Sequence, residues 1–341
     1  MNYTMKKVFA TVLTFLILAA VFSCSTKQES VYKKSMPLMD TIVSITVVCD
    51  SKERAEKAIE EAFAAIDHFG SFINFYSDKS ELSAINRNAG IRKTRVSPET
   101  LDVIEIAVLA SEKSGGAFDP TIGPVVKLWD FLNKKRPTDE EIIRVLPLVN
   151  YRDVIIDKTD ATVFLKHKGM MLDLGGIAKG YAADIAADSL MKSGIQSGLV
   201  SIAGDIRTFG LKPDKIPWTI GIKNPRQVSD KDEIIAKVRL TDKAVSTSGD
   251  YERYFNADGK RYHHILDPKT GYPAEACRSV SIVTDKAVYT DAFSTAVFVL
   301  GPEKGMKLVK DMGMDALIID SSGTTHSTDA LKESISFEKG T

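Results

Sequence analysis

Asp173-Leu174-Gly175-Gly176-Ile177-Ala178-Lys179-Gly180-Tyr181 places a carboxylate, three glycines and a lysine within nine residues, directly after an apolar, strand-like run. Such a stretch describes a turn that can hold an anion, because glycines let main-chain N–H groups crowd a phosphate and Lys179 supplies charge. Apolar residues resume at Ala182, Ala183 and Ile185 with helical spacing, so a helix N-terminus would add its dipole to the same pole. The spacing fits neither the P-loop nor the Rossmann fingerprint, and strand-to-helix turn chemistry is the commoner reason for a glycine pair there. Four further segments carry groups able to bind or react. Tyr76 offers a flat aromatic face ahead of a capping-box-like Ser80-x-x-Ser83, and Ala117-Phe118-Asp119-Pro120 is an apolar, proline-stiffened loop with one acid. His263-His264-Ile265-Leu266-Asp267-Pro268 joins imidazole and carboxylate on a turn, where either histidine is chemically suited to move a proton near pH ~6.5. Thr290-Asp291-Ala292-Phe293-Ser294-Thr295 sets Asp291 and Thr295 four residues apart, on one face if the segment is helical, where both could ligate one hard cation. Asp173 and Asp119 fit Asx turns or caps as readily as ligand contacts, and Asp205 with Arg207 reads as a structural pair. His68, His167 and His326 have no partner spacing and are read as structural or surface residues.

The elements that must position these groups alternate between strand and helix. Residues 41–49 alternate as a strand, residues 51–69 carry Ala55, Ala58, Ala62, Ile66 and Phe69 at helical spacing, and residues 98–113 and 184–193 read as two more helices. Short β-rich runs over residues 199–240 and 280–299 are punctuated by Gly, Pro and Asn without crossover helices between them, which predicts an α+β fold of mixed, mostly antiparallel sheets flanked by helices. Lys6 and Lys7 precede an uncharged run over residues 8–23, shorter than the ~20 residues of a membrane span and suited to a signal-peptide core. Val21-Phe22-Ser23-Cys24 resembles a lipobox, in which the cysteine after the cut carries a lipid, although Phe22 is bulkier than usual; an ordinary secretory signal is the alternative. The expected organisation is a signal over residues 1–23, a polar tether over 24–35 and one catalytic domain over 36–335, working outside the cytoplasm. Without the signal, 43 basic face 45 acidic residues, and with no basic stripe nucleic acid is excluded as a partner. Cys49 and Cys277 sit in strand-like surroundings that favour buried thiols over a disulfide.

All five segments, in their order along the chain, resemble the ApbE-type flavin transferases, bacterial envelope lipoproteins that cleave FAD with magnesium and attach FMN to a threonine or serine of another protein. The resemblance spans about residues 39–301. It implies that Met39, Tyr76, Ala117, Phe118, Asp119, the turn with Gly175, Lys179 and Tyr181, and the Leu266 backbone surround FAD. It further implies Mg²⁺ between the Ala178 carbonyl, Asp291 and Thr295, with Ser294 beside them, and it singles out His264 through a His-x-x-Asp-Pro spacing. The implied partners are FAD and an exported acceptor flavoprotein, with the membrane reached through lipidated Cys24. Two positions depart from the family: Asp40 and Ala203 stand where glycine is usual, which bears on local loop shape. The same site would serve an FAD pyrophosphatase if water replaced the acceptor hydroxyl, and a flavin-storing lipoprotein would need neither the metal ligands nor His264.

Overall fold

The fold is that of a computed structural model, which describes residues 29–226 and 233–337. Cys24 and the expected signal over residues 1–23 lie outside the described residues. A strand-forming alternation of β-branched and small residues builds an eight-stranded antiparallel sheet. Its order is Ser30–Leu38, Thr41–Cys49, Ser197–Ile202, Asp205–Phe209, Ala244–Gly249, Cys277–Thr284, Asp315–Asp320 and Thr325–Ser327. One face is covered by the helices Lys52–Ile73, Ala178–Lys192 and Ala287–Asp311, with Pro98–Ser114 packed on the first and last of them, and the main core lies between, with Val43, Ile45, Ile66, Phe69, Val200, Ile282 and Phe293 buried. The other face packs Leu199, Val245, Val283 and Leu317 against a three-stranded antiparallel sheet, Ile335–Phe337, Ile234–Leu240 and Trp218–Lys223. The α+β expectation holds in this mixed, antiparallel architecture.

Local sequence explains the element ends. Ser51 caps the first helix by accepting the Arg54 N–H, and Ser97 caps Pro98–Ser114, which ends at Gly115 in the left-handed region. Stripes of alanine, Ala55, Ala58 and Ala62 on Lys52–Ile73 and Ala182, Ala183, Ala186 and Ala187 on Ala178–Lys192, let helices approach one another and the sheet closely.

Three expectations are revised. The Ser30–Leu38 strand takes in residues 30–35 of the expected tether, because Tyr32 packs on the core and Lys34 reaches Glu60 at 3.1 Å on the first helix. The strand reading of residues 280–299 holds only to Thr284; from Ala287 the chain is helical, the β-branched residues notwithstanding, until Gly301 at φ +79° interrupts it before Pro302. The helix expected over 184–193 begins earlier, at Ala178. Cys49 and Cys277 are both buried and free. Their strands stand four steps apart in the sheet, about 19 Å at ~4.8 Å per step, far beyond disulfide reach.

The two departures from glycine both fall in tight hairpins. Met39 and Asp40 have φ of 51° and 57°, and Ala203 and Gly204 have 49° and 96°, so each pair forms a two-residue turn with both centres left-handed. The loop shape survives, with left-handed strain placed on Asp40 and Ala203.

Candidate active site

The site is built where the helix Ala178–Lys192 meets the helix that begins at Ala287. Asp184 joins them: its carboxylate accepts the N–H groups of Ala287 at 3.0 Å and Val288 at 2.9 Å, and the Arg207 guanidinium lies 3.3 Å away. This caps the second helix with a side chain of the first. Gly180 permits the contact, since a Cβ there would lie 2.2 Å from the Ala287 carbonyl oxygen. One turn into the second helix, Asp291 is only 4% exposed. Its Oδ2 accepts the Gly180 N–H at 2.9 Å and the Lys179 N–H adds to this, so the pole of the helix is filled by the protein's own carboxylate.

That changes the meaning of the glycine-rich turn. Gly175 N–H donates to Asp173 Oδ1 at 2.7 Å, Ala178 N–H to the Leu174 carbonyl at 2.9 Å, and Gly180 N–H to Asp291. These N–H groups are committed within the chain, and that of Gly180 positions Asp291. Asp173 is the Asx-turn support expected of it.

The Lys179 ammonium is paired with Asp205 and stands 4.0 Å from Asp291 Oδ1. The pairing expected between Asp205 and Arg207 is therefore replaced by two others, Asp205 with Lys179 and Arg207 with Asp184, because both strand residues face the helix that supplies nearer partners. Burial, with the Asp205 charge second, pushes the Asp291 carboxyl above the usual carboxylate range, and Lys179 opposes this. Two buried carboxylates against one ammonium leave a net negative charge beside Oδ1.

Hydroxyls complete this corner. Ser246 and Thr290 share a hydrogen bond of 2.7 Å, Ser248 and Ser294 one of 2.8 Å, and Ser248 lies 3.3 Å from the Thr295 hydroxyl. Ser294 also donates to the Asp291 carbonyl at 2.9 Å and is buried, whereas Thr295 is half-buried and faces the turn at Gly176. Among the described residues no three His, Cys, Asp or Glu side chains form a metal cluster. The donors present are hard oxygens, one of them the Asp291 carboxylate, and this set fits Mg²⁺, which binds through one or two carboxylates and keeps several waters.

The two adjacent histidines separate clearly. His263 is 4% exposed; its Nε2 donates to the Ala274 carbonyl at 2.8 Å and its Nδ1 accepts the Ile265 N–H at 3.3 Å, so both nitrogens serve the fold. His264 is half-buried, and its Nδ1 donates to the Arg253 carbonyl at 3.3 Å. A carbonyl only accepts, so Nε2 carries the lone pair, and among the described residues it has no hydrogen-bond partner. Surrounding protein first, then the Arg253 and His263 charges, hold the His264 pKa down at about 3, and Lys179 acts in the same direction. Asp267 is engaged in its own turn, accepting the Lys269 N–H at 2.9 Å, rather than bonding His264. Arg253 is exposed, and its charge reaches His264, Asp173 and Lys179 alike.

Of the remaining expected positions, Phe118 lies at this centre. Phe118 is buried with its ring edge at Gly176, close to Thr295, and Ala117 is buried beside it. Asp119 is buried, its carboxylate accepting from the Thr121 N–H and hydroxyl at 2.9 and 2.6 Å and from the Tyr151 N–H at 3.0 Å. Leu266 is buried and bridges to Pro273. Met39 packs at its hairpin tip against Gly70, and Tyr76 is 80% exposed beyond the end of the same helix. Tyr181 turns about 100° from Gly180 around the helix and donates to Asp102 at 2.8 Å, its ring tilted on Phe69. Sequence reasoning missed Asp184, Ser248 and Arg253. The alternation of Ser246 and Ser248 against Thr290 and Ser294 was the available signal for the hydroxyl contacts.

Proteins similar to this chain include flavin transferases. An ApbE protein from Thermotoga maritima superposes with a TM-score of 0.82 at 36% identity, over 89% of this chain and 99% of that one. The Pseudomonas stutzeri flavinyl transferase ApbE gives 0.80 at 30% identity, over 93% and 100%. The FAD:protein FMN transferase of Treponema pallidum is 36% identical over 324 residues, 89% of this chain and 88% of its own. That of Klebsiella pneumoniae is 34% identical over 293 residues, 85% and 89%. The ApbE family profile matches residues 39–318, which include the turn, Asp291, Thr295 and His264. With one fold running the length of these relatives and the profile covering the whole site, the chain is an enzyme of the ApbE family.

Proposed function

We propose that this enzyme transfers FMN from FAD to a serine or threonine hydroxyl of an exported redox protein, with release of AMP and dependence on Mg²⁺. The observation that carries the proposal is the buried Asp291 carboxylate, with Oδ2 fixed by the Gly180 N–H and Oδ1 4.0 Å from the Lys179 ammonium, in a chain similar throughout to FAD:protein FMN transferases. Asp291, Thr295 and the Ala178 carbonyl would hold the cation, with Ser294 tied behind them through Ser248. When bound, Mg²⁺ supplies positive charge to the non-bridging oxygens of a diphosphate as charge develops there.

The chain's own groups divide the remaining work. Arg253 supplies cationic charge near the diphosphate, while the Lys179 ammonium stays paired with Asp205 beside Asp291. His264 Nε2 takes the proton of the incoming hydroxyl, its lone pair directed by the Nδ1–H bond to Arg253. The hydroxyl oxygen bonds to the FMN-side phosphorus, the P–O bond to AMP breaks, and the electron pair leaves with AMP. Met39, Tyr76, Phe118 and Leu266 border the flavin and nucleotide, and a lipid on Cys24 holds the enzyme to the membrane, facing the periplasm.

The test is incubation of the full-length chain in mild detergent with FAD, Mg²⁺ and a periplasmic flavoprotein acceptor peptide. Mass spectrometry of the peptide and quantification of AMP and free FMN come from the same tube. A gain on the acceptor threonine of FMN minus water, matched by AMP, is expected. AMP and free FMN with an unmodified peptide would instead assign a pyrophosphatase, in which water meets the half-exposed His264.

A further inference from the structure

Asp205 lies at the start of its strand, 3% exposed, with no place in the cation site itself. Its partner, the Lys179 ammonium, stands on the first turn of the helix whose N–H groups hold Asp291. Left alone, Lys179 would close the 4.0 Å gap to Asp291 Oδ1, since a buried carboxylate draws the nearest cation and a lysine stem is long enough to reach it. The closer bond to Asp205 prevents this. We propose that Asp205 is a positioning residue for the cation site: by holding and neutralising the Lys179 ammonium, it keeps Asp291 Oδ1 open to a divalent cation. The inference rests on the magnesium-dependent reading above. In its terms, Lys179 stands in for the cation until one binds, and Asp205 sets how firmly it does so.

The test uses Mn²⁺ alone, whose free six-line electron paramagnetic resonance signal is lost on binding, with Mg²⁺ as competitor and the full-length chain in mild detergent. Asp205→Asn, which keeps the side-chain volume, is expected to weaken Mn²⁺ binding at least about tenfold, in the range of outer-shell substitutions at metal sites. Adding Lys179→Met to that variant should restore most of the loss, and Lys179→Met alone should tighten binding. A merely structural Asp205 would give a lowered melting temperature, no recovery in the double variant and no gain from Lys179→Met. Should Asp205→Asn fail to fold, Lys179→Met decides by itself, unchanged or weaker Mn²⁺ binding overturning the proposal. Wild-type chain that takes up no Mn²⁺ would overturn both this inference and the magnesium reading, whereas wild-type uptake matched by Asp205→Asn overturns the inference alone.

Discussion

Replacing Gly180 with alanine adds one methyl group where two helices touch. The new Cβ would lie 2.2 Å from the Ala287 carbonyl oxygen, 2.6 Å from its carbon and 2.7 Å from Asp291 Cβ, and two of these are backbone atoms that no rotamer change can move. Ordinary contact at about 3.4 Å requires the helices to part by roughly 1 Å, an overpacking cost of ~1–3 kcal/mol at the upper end of its range here. Alanine returns about 1 kcal/mol of helix propensity. Parting also stretches the 2.9 Å bond from the Gly180 N–H to Asp291, a hydrogen bond to a charged group worth ~1.5–3 kcal/mol. The net loss is about 3.5–5 kcal/mol, which for a body of this size lowers the melting temperature by roughly 5–8 °C. Differential scanning fluorimetry measures it, and Mg²⁺-dependent AMP release from FAD should fall in parallel as Asp291 loses its anchor. A melting temperature within about 1 °C of wild type together with unchanged AMP release would refute the claim that this approach fixes Asp291.

Three further outcomes are expected. Asp291→Asn should abolish Mg²⁺-dependent turnover while raising thermal stability near neutral pH: a carboxyl whose folded pKa is raised loses stability as pH climbs above its unfolded value near 3.8, and the amide keeps the Gly180 contact. Destabilisation at pH 7–8 would count against the buried-charge account. His264→Asn should slow transfer by ~10²–10⁴ with FAD binding retained. Because the folded pKa of His264, about 3, lies below its unfolded value of 6.5, the wild-type group costs stability as pH falls from 6.5, so the melting temperature of His264→Asn should drop less between pH 7 and pH 5; equal drops would remove the titration argument. Ala203→Gly relieves a left-handed non-glycine turn and should stabilise the chain by about 1 kcal/mol without altering activity, and chemical denaturation showing a loss would mean the turn is not strained.

The parts of this architecture legible in the sequence are those written in local periodicity. Residues 41–49 and the first helix follow from period-2 and helical spacing, and the caps at Ser51, Ser80 and Ser97 from their own residue types. The helix from Ala287 was half obscured because Val288, Thr290, Thr295, Val297 and Val299 favour strands locally, a preference overridden by packing on the sheet and by the cap from Asp184, over a hundred residues earlier in the chain. Pairings set by strand register were hidden altogether. Nothing adjacent to Asp205 or Arg207 tells which helical residue each will meet, so their true partners appear only once the strand lies beneath the helix. The residue types able to ligate a cation were visible; the commitment of the glycine turn to Asp291 was not, since it depends on a contact between positions 180 and 291.

The hydroxyl contacts between strand and helix have a mechanical meaning. Two residues of strand span about 6.8 Å and four residues of helix about 6 Å, so Ser246 and Ser248 mesh with Thr290 and Ser294 much as two gear teeth of nearly equal pitch would. A helix seated only on aliphatic side chains rests in a shallow dispersion well and can creep or roll by tenths of an ångström as neighbouring residues change size. Toothed to the sheet at two points, this one is indexed both along and around its axis. Core residues beneath it can therefore drift through evolution while the carboxylate and hydroxyl it carries keep their coordinates relative to the turn opposite.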